Sequence, residues 1–180
     1  MKRIIVPTGY MGSGSSAVTD IVSEFKDCEN SFKSFEYVML HCPNGLFDLE
    51  DKLLIGNNAI RSDEALRAFE YQMKKLYNKK YWWVGNYKKI IGEDFLSMTK
   101  EFINDIQDLN YEGYWYFQEE VDFKMFLKLT VLKILKIITF NKLKFKKVLK
   151  YKDGMRISFN SPKEFYKKSH TYIYKIIELI

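Results

Sequence analysis

Gly9, Gly12, Ser13, Gly14, Ser15 and Ser16 crowd glycines and small hydroxyls into eight residues, a combination suited to holding an oxyanion. Glycine reaches positive φ at little cost and lets backbone N–H groups approach a ligand closely. The run Arg3-Ile4-Ile5-Val6-Pro7-Thr8 ahead of them reads as a buried strand, and Ala17, Val18, Ile21, Val22 and Phe25 behind them fall at helical spacing. A strand, a glycine turn and a helix in that order bring unpaired N–H donors and the positive end of the helix dipole to the turn. Phosphate or sulfate oxygens fit such a place. Two side chains farther on suit proton transfer: Glu36 and His41, at either end of the apolar run Tyr37-Val38-Met39-Leu40. Each also has a plainer reading, Glu36 as a solvent-facing strand residue and His41 as a partly buried histidine at a strand end.

Three known patterns overlap in the turn. Gly9-x-x-x-x-Gly14-Ser15-Ser16 keeps the P-loop frame but places Ser15 at the lysine position, which disfavours a motor-type or kinase-type ATPase. Gly12-x-Gly14-x-x-Ala17 satisfies the dinucleotide fingerprint, which expects an acidic residue to end the second strand about 20 residues later. Glu36 has the distance but begins its strand, so a dinucleotide-binding enzyme ranks third. Ser13-Gly14-Ser15-Ser16 resembles the Ser-Gly-Thr-Thr core of the loop with which sulfotransferases hold the 5′-phosphosulfate of their donor.

The resemblance extends over most of the chain and is greatest to the bacterial sulfotransferase-like proteins of surface-polysaccharide clusters. It is carried by Gly12-Ser13-Gly14-Ser15-Ser16-Ala17, Ser34-Phe35-Glu36-Tyr37, His41-Cys42-Pro43-Asn44-Gly45-Leu46-Phe47-Asp48-Leu49-Glu50 and Asn57-Asn58-Ala59-Ile60-Arg61-Ser62. It implies a P-loop NTPase-like α/β fold and transfer of a sulfuryl group from 3′-phosphoadenosine 5′-phosphosulfate to a hydroxyl of a saccharide-type acceptor. On that reading Gly9, Gly12, Ser13, Gly14, Ser15 and Ser16 hold the donor, while Glu36 and His41 are the catalytic candidates, Glu36 in the place of the family's strand base. There are two departures. Gly12 stands where many sulfotransferases have a loop lysine, and no Arg-Asp-Pro-Arg-like segment for the donor's 3′-phosphate occurs. An inactive relative is therefore compatible with the same residues, as is a non-enzymatic module that binds anions, nucleotides or a membrane surface.

The elements that must position these residues follow from composition and periodicity. A chain of 180 residues with 47% hydrophobic content suits a single domain, 1–180. Two cysteines, no secretory leader pattern and no metal-ligand spacing among Cys28, Cys42, His41 and His170 point to a reduced, cytoplasmic protein without a metal. The first helix should run from about Ser15 to Phe25, and Phe35 to Leu40 should be a second, parallel strand buried on both faces. His41 and Asn44 would then share the ligand edge with the turn.

From Leu46 onward a large helical insertion is expected, with Leu66, Phe69, Met73 and Leu76 on one buried face and Ser62-Asp63-Glu64 as its N-cap. Tyr77, Tyr81, Trp82, Trp83 and Tyr87 lie among lysines, where packing is favoured over base or sugar stacking, and nucleic acid is not expected as a partner. A helix over about Glu93–Leu109 follows, with Phe95, Met98, Phe102, Ile106 and Leu109 at core spacing. The aromatic run Gly113-Tyr114-Trp115-Tyr116-Phe117 is then a packed segment or a lid over a saccharide pocket.

Residues 124–152 hold ten of the 29 basic residues and none of the 23 acidic ones, so the net charge of +6 is local. Within them Leu127, Val131, Ile134 and Ile138 share one side of a helix and Lys124, Lys128 and Lys136 another. The pattern suits either a docked helix with a solvated lysine face or peripheral contact with the inner face of a membrane. Lys147–Tyr151 and Met155–Phe159 read as a hairpin around Asp153-Gly154. Ser161-Pro162-Lys163-Glu164 reads as a capping box opening a last helix. Because that helix has no C-cap before Ile180, the resembled fold is expected to be incomplete at its C-terminus.

Overall fold

In a computed structural model the described residues are 5, 7, 9, 12–28, 36–81, 84–112, 123–139 and 154–179. Their helices are α1 (Ser15–Ser23), α2 (Val38–His41), α3 (Leu46–Leu54), α4 (Ala59–Asn78), α5 (Tyr87–Ile90), α6 (Asp94–Ile106), α7 (Phe123–Ile138) and α8 (Pro162–Leu179). Four short strands form two antiparallel pairs, β1 (Lys80–Tyr81) with β2 (Val84–Gly85) and β3 (Leu109–Tyr111) with β4 (Met155–Ile157). The chain is thus mostly helical with small antiparallel sheets.

α4 is the centre of the core, because its apolar residues recur at three- and four-residue steps. Leu66, Phe69, Met73 and Leu76 are each no more than 1% exposed. α3 packs Leu46, Leu49 and Leu53 on one side of it; α6 and α8 close the other with Phe95, Phe102, Ile103, Ile106, Phe165, Tyr172 and Ile176. Aromatic geometry fixes the α4–α6–α8 junction: Phe102 stacks on Tyr172 at 4.6 Å between centroids, and Phe69 meets Phe102 edge-on at 5.8 Å. Such pairs add about 0.5–1.5 kcal/mol beyond the area they bury. The buried Tyr172 hydroxyl is satisfied by Thr99 Oγ1 at 2.9 Å, which in turn donates to Phe95 O at 2.7 Å.

Several expectations are met. The first helix starts at Ser15, the core stripe of α4 is buried, that of α6 is buried at Phe95, Phe102 and Ile106 and half-buried at Met98, and α8 opens on the expected box: Ser161 N donates to Glu164 Oε2 at 2.9 Å and Glu164 N reaches Ser161 Oγ at 3.4 Å. Four expectations need correction. The segment expected as the strand Phe35–Leu40 is helical from Val38 to His41, because a run of three apolar residues has no period of its own and Tyr87 supplies a polar partner at the helix start. The parallel sheet is consequently absent among the described residues, where every strand pair is antiparallel.

The N-cap of α4 is Asn58, whose Oδ1 accepts Arg61 N at 3.0 Å, while Ser62 and Asp63 lie a turn inside the helix and are fully buried. Leu109, assigned to the core side of a helix, is 49% exposed in β3, and Met155–Ile157 pairs with that strand. The other arm of the expected hairpin, 147–151, lies outside the described residues, as do Trp82, Trp83, the aromatic run 113–117 and most of the strand 3–8.

Candidate functional site

The glycine turn has the backbone conformation its composition implies. Gly12 and Gly14 both lie in the left-handed region, at φ 82° and 86°, and a Cβ built on either would meet nothing within 4 Å. A side chain is disfavoured there by conformation, since positive φ costs an L-residue about 1–2 kcal/mol. Gly9 is different: a Cβ on it would run into Ser13 Oγ, so the turn folds back over its own start. Gly14 is also the N-cap of α1, and it brings no side-chain cap. Its carbonyl accepts Val18 N at 3.1 Å, while Thr19 Oγ1 turns back to Ser15 O at 3.0 Å. The exposed turn Gly12-Ser13-Gly14 therefore meets a helix end whose first N–H groups receive no side-chain cap from Gly14 and, among the described residues, no side-chain acceptor.

None of the α1 residues is buried, and Val18, Ile21 and, just beyond the helix, Phe25 are 50%, 63% and 62% exposed.

Glu36 and His41 belong to the other half of the expected site; both are exposed, and Glu36 is linked to the core through its backbone. Glu36 is exposed just ahead of α2, and its backbone oxygen accepts the Tyr87 hydroxyl at 2.8 Å. His41 ends α2, also exposed. Among the described residues neither side chain hydrogen-bonds to Gly9 or to Gly12–Ser16. Asn44, expected on the same edge, lies at φ 58° and instead organises α3: its N–H donates to Asp48 Oδ2 at 2.7 Å and its Oδ1 accepts Lys52 Nζ at 3.2 Å. Gly45 follows because a Cβ there would press on Met39 O and Cys42 O at 2.6 and 2.7 Å.

The described interior offers no second reactive centre. Burial pushes the Cys42 thiol above its ordinary value despite a long contact from Gln72 Nε2, so it is held as a protonated thiol. Among the described residues no group of three or more His, Cys, Asp and Glu could hold a metal ion. In the shallow groove between α6 and α8 both lysines are engaged, Lys175 with Glu101 at 2.6 Å and Lys168 with the backbone oxygen of Asp105 at 2.7 Å.

The polar centre that sequence reasoning missed is structural. Buried Asp63 accepts Arg67 Nε at 3.0 Å and Arg156 N at 2.9 Å, Arg67 reaches Gly154 O at 2.8 Å, and Arg156 pairs with Glu70 at 2.5 Å. Its only local signal was an acid and a base four residues apart inside an apolar stripe.

No protein-family model, curated protein or solved structure matches this chain.

Proposed function

We propose that the chain is a sulfotransferase-like protein whose Gly9–Ser16 turn holds the 5′-phosphosulfate of 3′-phosphoadenosine 5′-phosphosulfate. The observation that carries the reading is the pair of left-handed glycines, Gly12 and Gly14, leading directly into a helix with no side-chain cap. Backbone N–H groups at such an end favour oxyanions without needing a lysine. In sulfuryl transfer the acceptor hydroxyl attacks sulfur as the bond to the nucleotide phosphate breaks. The protein must then stabilise the departing and equatorial oxygens and accept the hydroxyl's proton. The turn answers the first need. Glu36, exposed and with its backbone fixed by Tyr87, is assigned the second, with His41 the other nearby group in sequence.

A saccharide-type acceptor, a bacterial polysaccharide setting and a cytoplasmic location come with the resemblance and stand or fall with it. A P-loop frame belongs to the same proposal for residues 3–8 alone, because Val38–His41 is helical.

Calorimetric titration of the chain with adenosine 3′,5′-bisphosphate, ATP and NAD tests the reading. Tightest binding of the bisphosphate, weakened when Gly12 and Gly14 are both changed to alanine, is the expected result. Tighter binding of NAD would favour the dinucleotide alternative, and binding of none of the three would overturn nucleotide recognition altogether.

A further inference from the structure

α7 turns its apolar side away from the protein. At about 100° per residue, Phe126, Ile137, Phe123, Ile134, Leu127, Ile138 and Val131 occupy a continuous arc of roughly 140°, interrupted only by Thr130. These residues are 48–75% exposed. The partly buried positions, Leu129 and Leu132, are on the opposite side. Of the two arrangements expected from the sequence, the lysine side is solvated as expected, but the apolar side is not docked on the described residues.

The charges fit one occupant. Lys124 and Lys133 border the arc on its two sides, Lys128 lies farther back behind Lys124, and Lys136 is on the opposite side of the helix; all four are exposed, and no acidic residue occurs from 124 to 152. Lysines on both flanks can carry their ammonium groups sideways to phosphates while their stems and the arc enter an apolar layer. The helix is roughly 24 Å long at 1.5 Å per residue, and no described helix is long and apolar enough to cross a membrane. A large apolar arc with a cationic surround and insufficient length to span is the pattern of a helix lying in the plane of a lipid surface.

We infer that α7 binds the surface of an anionic lipid bilayer, its Phe126–Ile134–Ile137 side in the acyl boundary and Lys124, Lys128 and Lys133 among the headgroup phosphates. This does not rest on donor binding at the glycine turn. Anionic headgroups supply what a neutral surface lacks, and each lysine close to such a surface contributes about 1 kcal/mol.

The test is co-sedimentation of the full chain with vesicles of phosphatidylcholine alone and of phosphatidylcholine mixed with phosphatidylglycerol, at low and high salt. Three variants accompany it: K124Q/K128Q/K133Q/K136Q, F126E/I134E, and, as a control, H170Q on exposed α8. The expected result is binding confined to the anionic vesicles and reduced by salt, lowered about a hundredfold or more in the quadruple variant. It should be lost in the double glutamate variant and unchanged in the control. Because all six substituted side chains of α7 are exposed, the melting temperature should not move, which separates loss of binding from loss of fold. Equal binding to neutral vesicles, or pelleting with neither composition, overturns the inference. So does a stable dimer that dissociates in F126E/I134E without vesicle binding, which would make a second copy of the chain the occupant.

Discussion

Asp63 in α4 accepts the backbone N–H of Arg156 in β4 at 2.9 Å, across 93 residues of sequence, from a position with no exposure to solvent. One residue earlier Ser62 Oγ accepts Ser158 N at 2.7 Å, and Asn57 Nδ2 donates to Ser158 O at 2.6 Å. The beginning of α4 thus takes over the hydrogen bonding that a third strand would provide for one edge of β4, whose other edge pairs with β3. An acid buried in a helix is tolerated because its oxygens are met by a guanidinium and a backbone donor.

Asp63→Ala should destabilise the chain by about 2–3 kcal/mol, since it leaves the Arg156 N–H without that acceptor and removes one of the partners of Arg67. Arg67 is 32% exposed and can rehydrate, which keeps the loss below that of a fully buried pair. Urea unfolding measures it. A change below about 0.5 kcal/mol, the level of an ordinary surface substitution, would show that the strand is held by other contacts.

Tyr87 joins α5 to the start of α2, donating to Glu36 O at 2.8 Å and accepting Met39 N at 3.3 Å while 1% exposed. Tyr87→Phe keeps the edge-on contact with Phe95 but leaves the buried Met39 donor without that acceptor, a loss of about 1–2 kcal/mol. Burial pushes the hydroxyls of Tyr87 and Tyr172 well above their ordinary value of 10.0. Above that pH the unfolded chain sheds these protons and the folded chain keeps them, so stability is complete below about pH 10 and falls as pH rises. Tyr87→Phe should flatten part of that alkaline slope in denaturation curves measured at increasing pH, and an unchanged slope would mean that the hydroxyl ionises freely in the folded chain.

What the sequence made legible was local. The stripe of α4, the Ser161–Glu164 box of α8 and the positive φ at Gly12 and Gly14 each follow from residues within a few positions of one another. What it concealed depended on distant partners. Val38-Met39-Leu40 suits a strand or a helical turn equally until Tyr87 arrives from about 50 residues downstream. Met155–Ile157 suits a local hairpin until Ser62 and Asp63 offer it hydrogen bonds. At the candidate site the turn was legible for the same reason, whereas the links of Glu36 to the core were not. The outward arc of α7 was visible as amphipathicity, but which side met the protein was not encoded in the period.

Glu70 governs the acid limb. Burial alone would raise its carboxyl, but hydrogen bonds from Lys74 and Arg156, both at 2.5 Å, outweigh that and hold it below the ordinary value of 4.5. A carboxylate depressed in the folded state stabilises fully above its unfolded value, and that contribution disappears as pH falls past the folded one. Stability should therefore decline below about pH 4.5, and Glu70→Gln should shrink that decline while costing about 1 kcal/mol near neutrality. Thermal melts of both proteins across that range measure it; parallel curves would exclude Glu70 as the group responsible.

Asn58 and Ser62 separate capping from cross-chain bonding, because both are small polar residues near the start of α4 with different partners. Asn58 Oδ1 accepts Arg61 N at 3.0 Å on an exposed helix end, so Asn58→Ala should cost about 1 kcal/mol and speed hydrogen exchange only in the first turn. Ser62 is fully buried, and its hydroxyl is the acceptor for Ser158 N in another element. Ser62→Ala leaves that N–H without its acceptor and should cost about 1–3 kcal/mol, with faster exchange at the Ser158 amide and not at Arg61. Amide exchange followed residue by residue distinguishes the two. If Ser62→Ala instead loosens the first turn of α4 and leaves Ser158 protected, Ser62 is a cap after all and β4 is attached to α4 without it, through Asp63, Arg67 and Glu70.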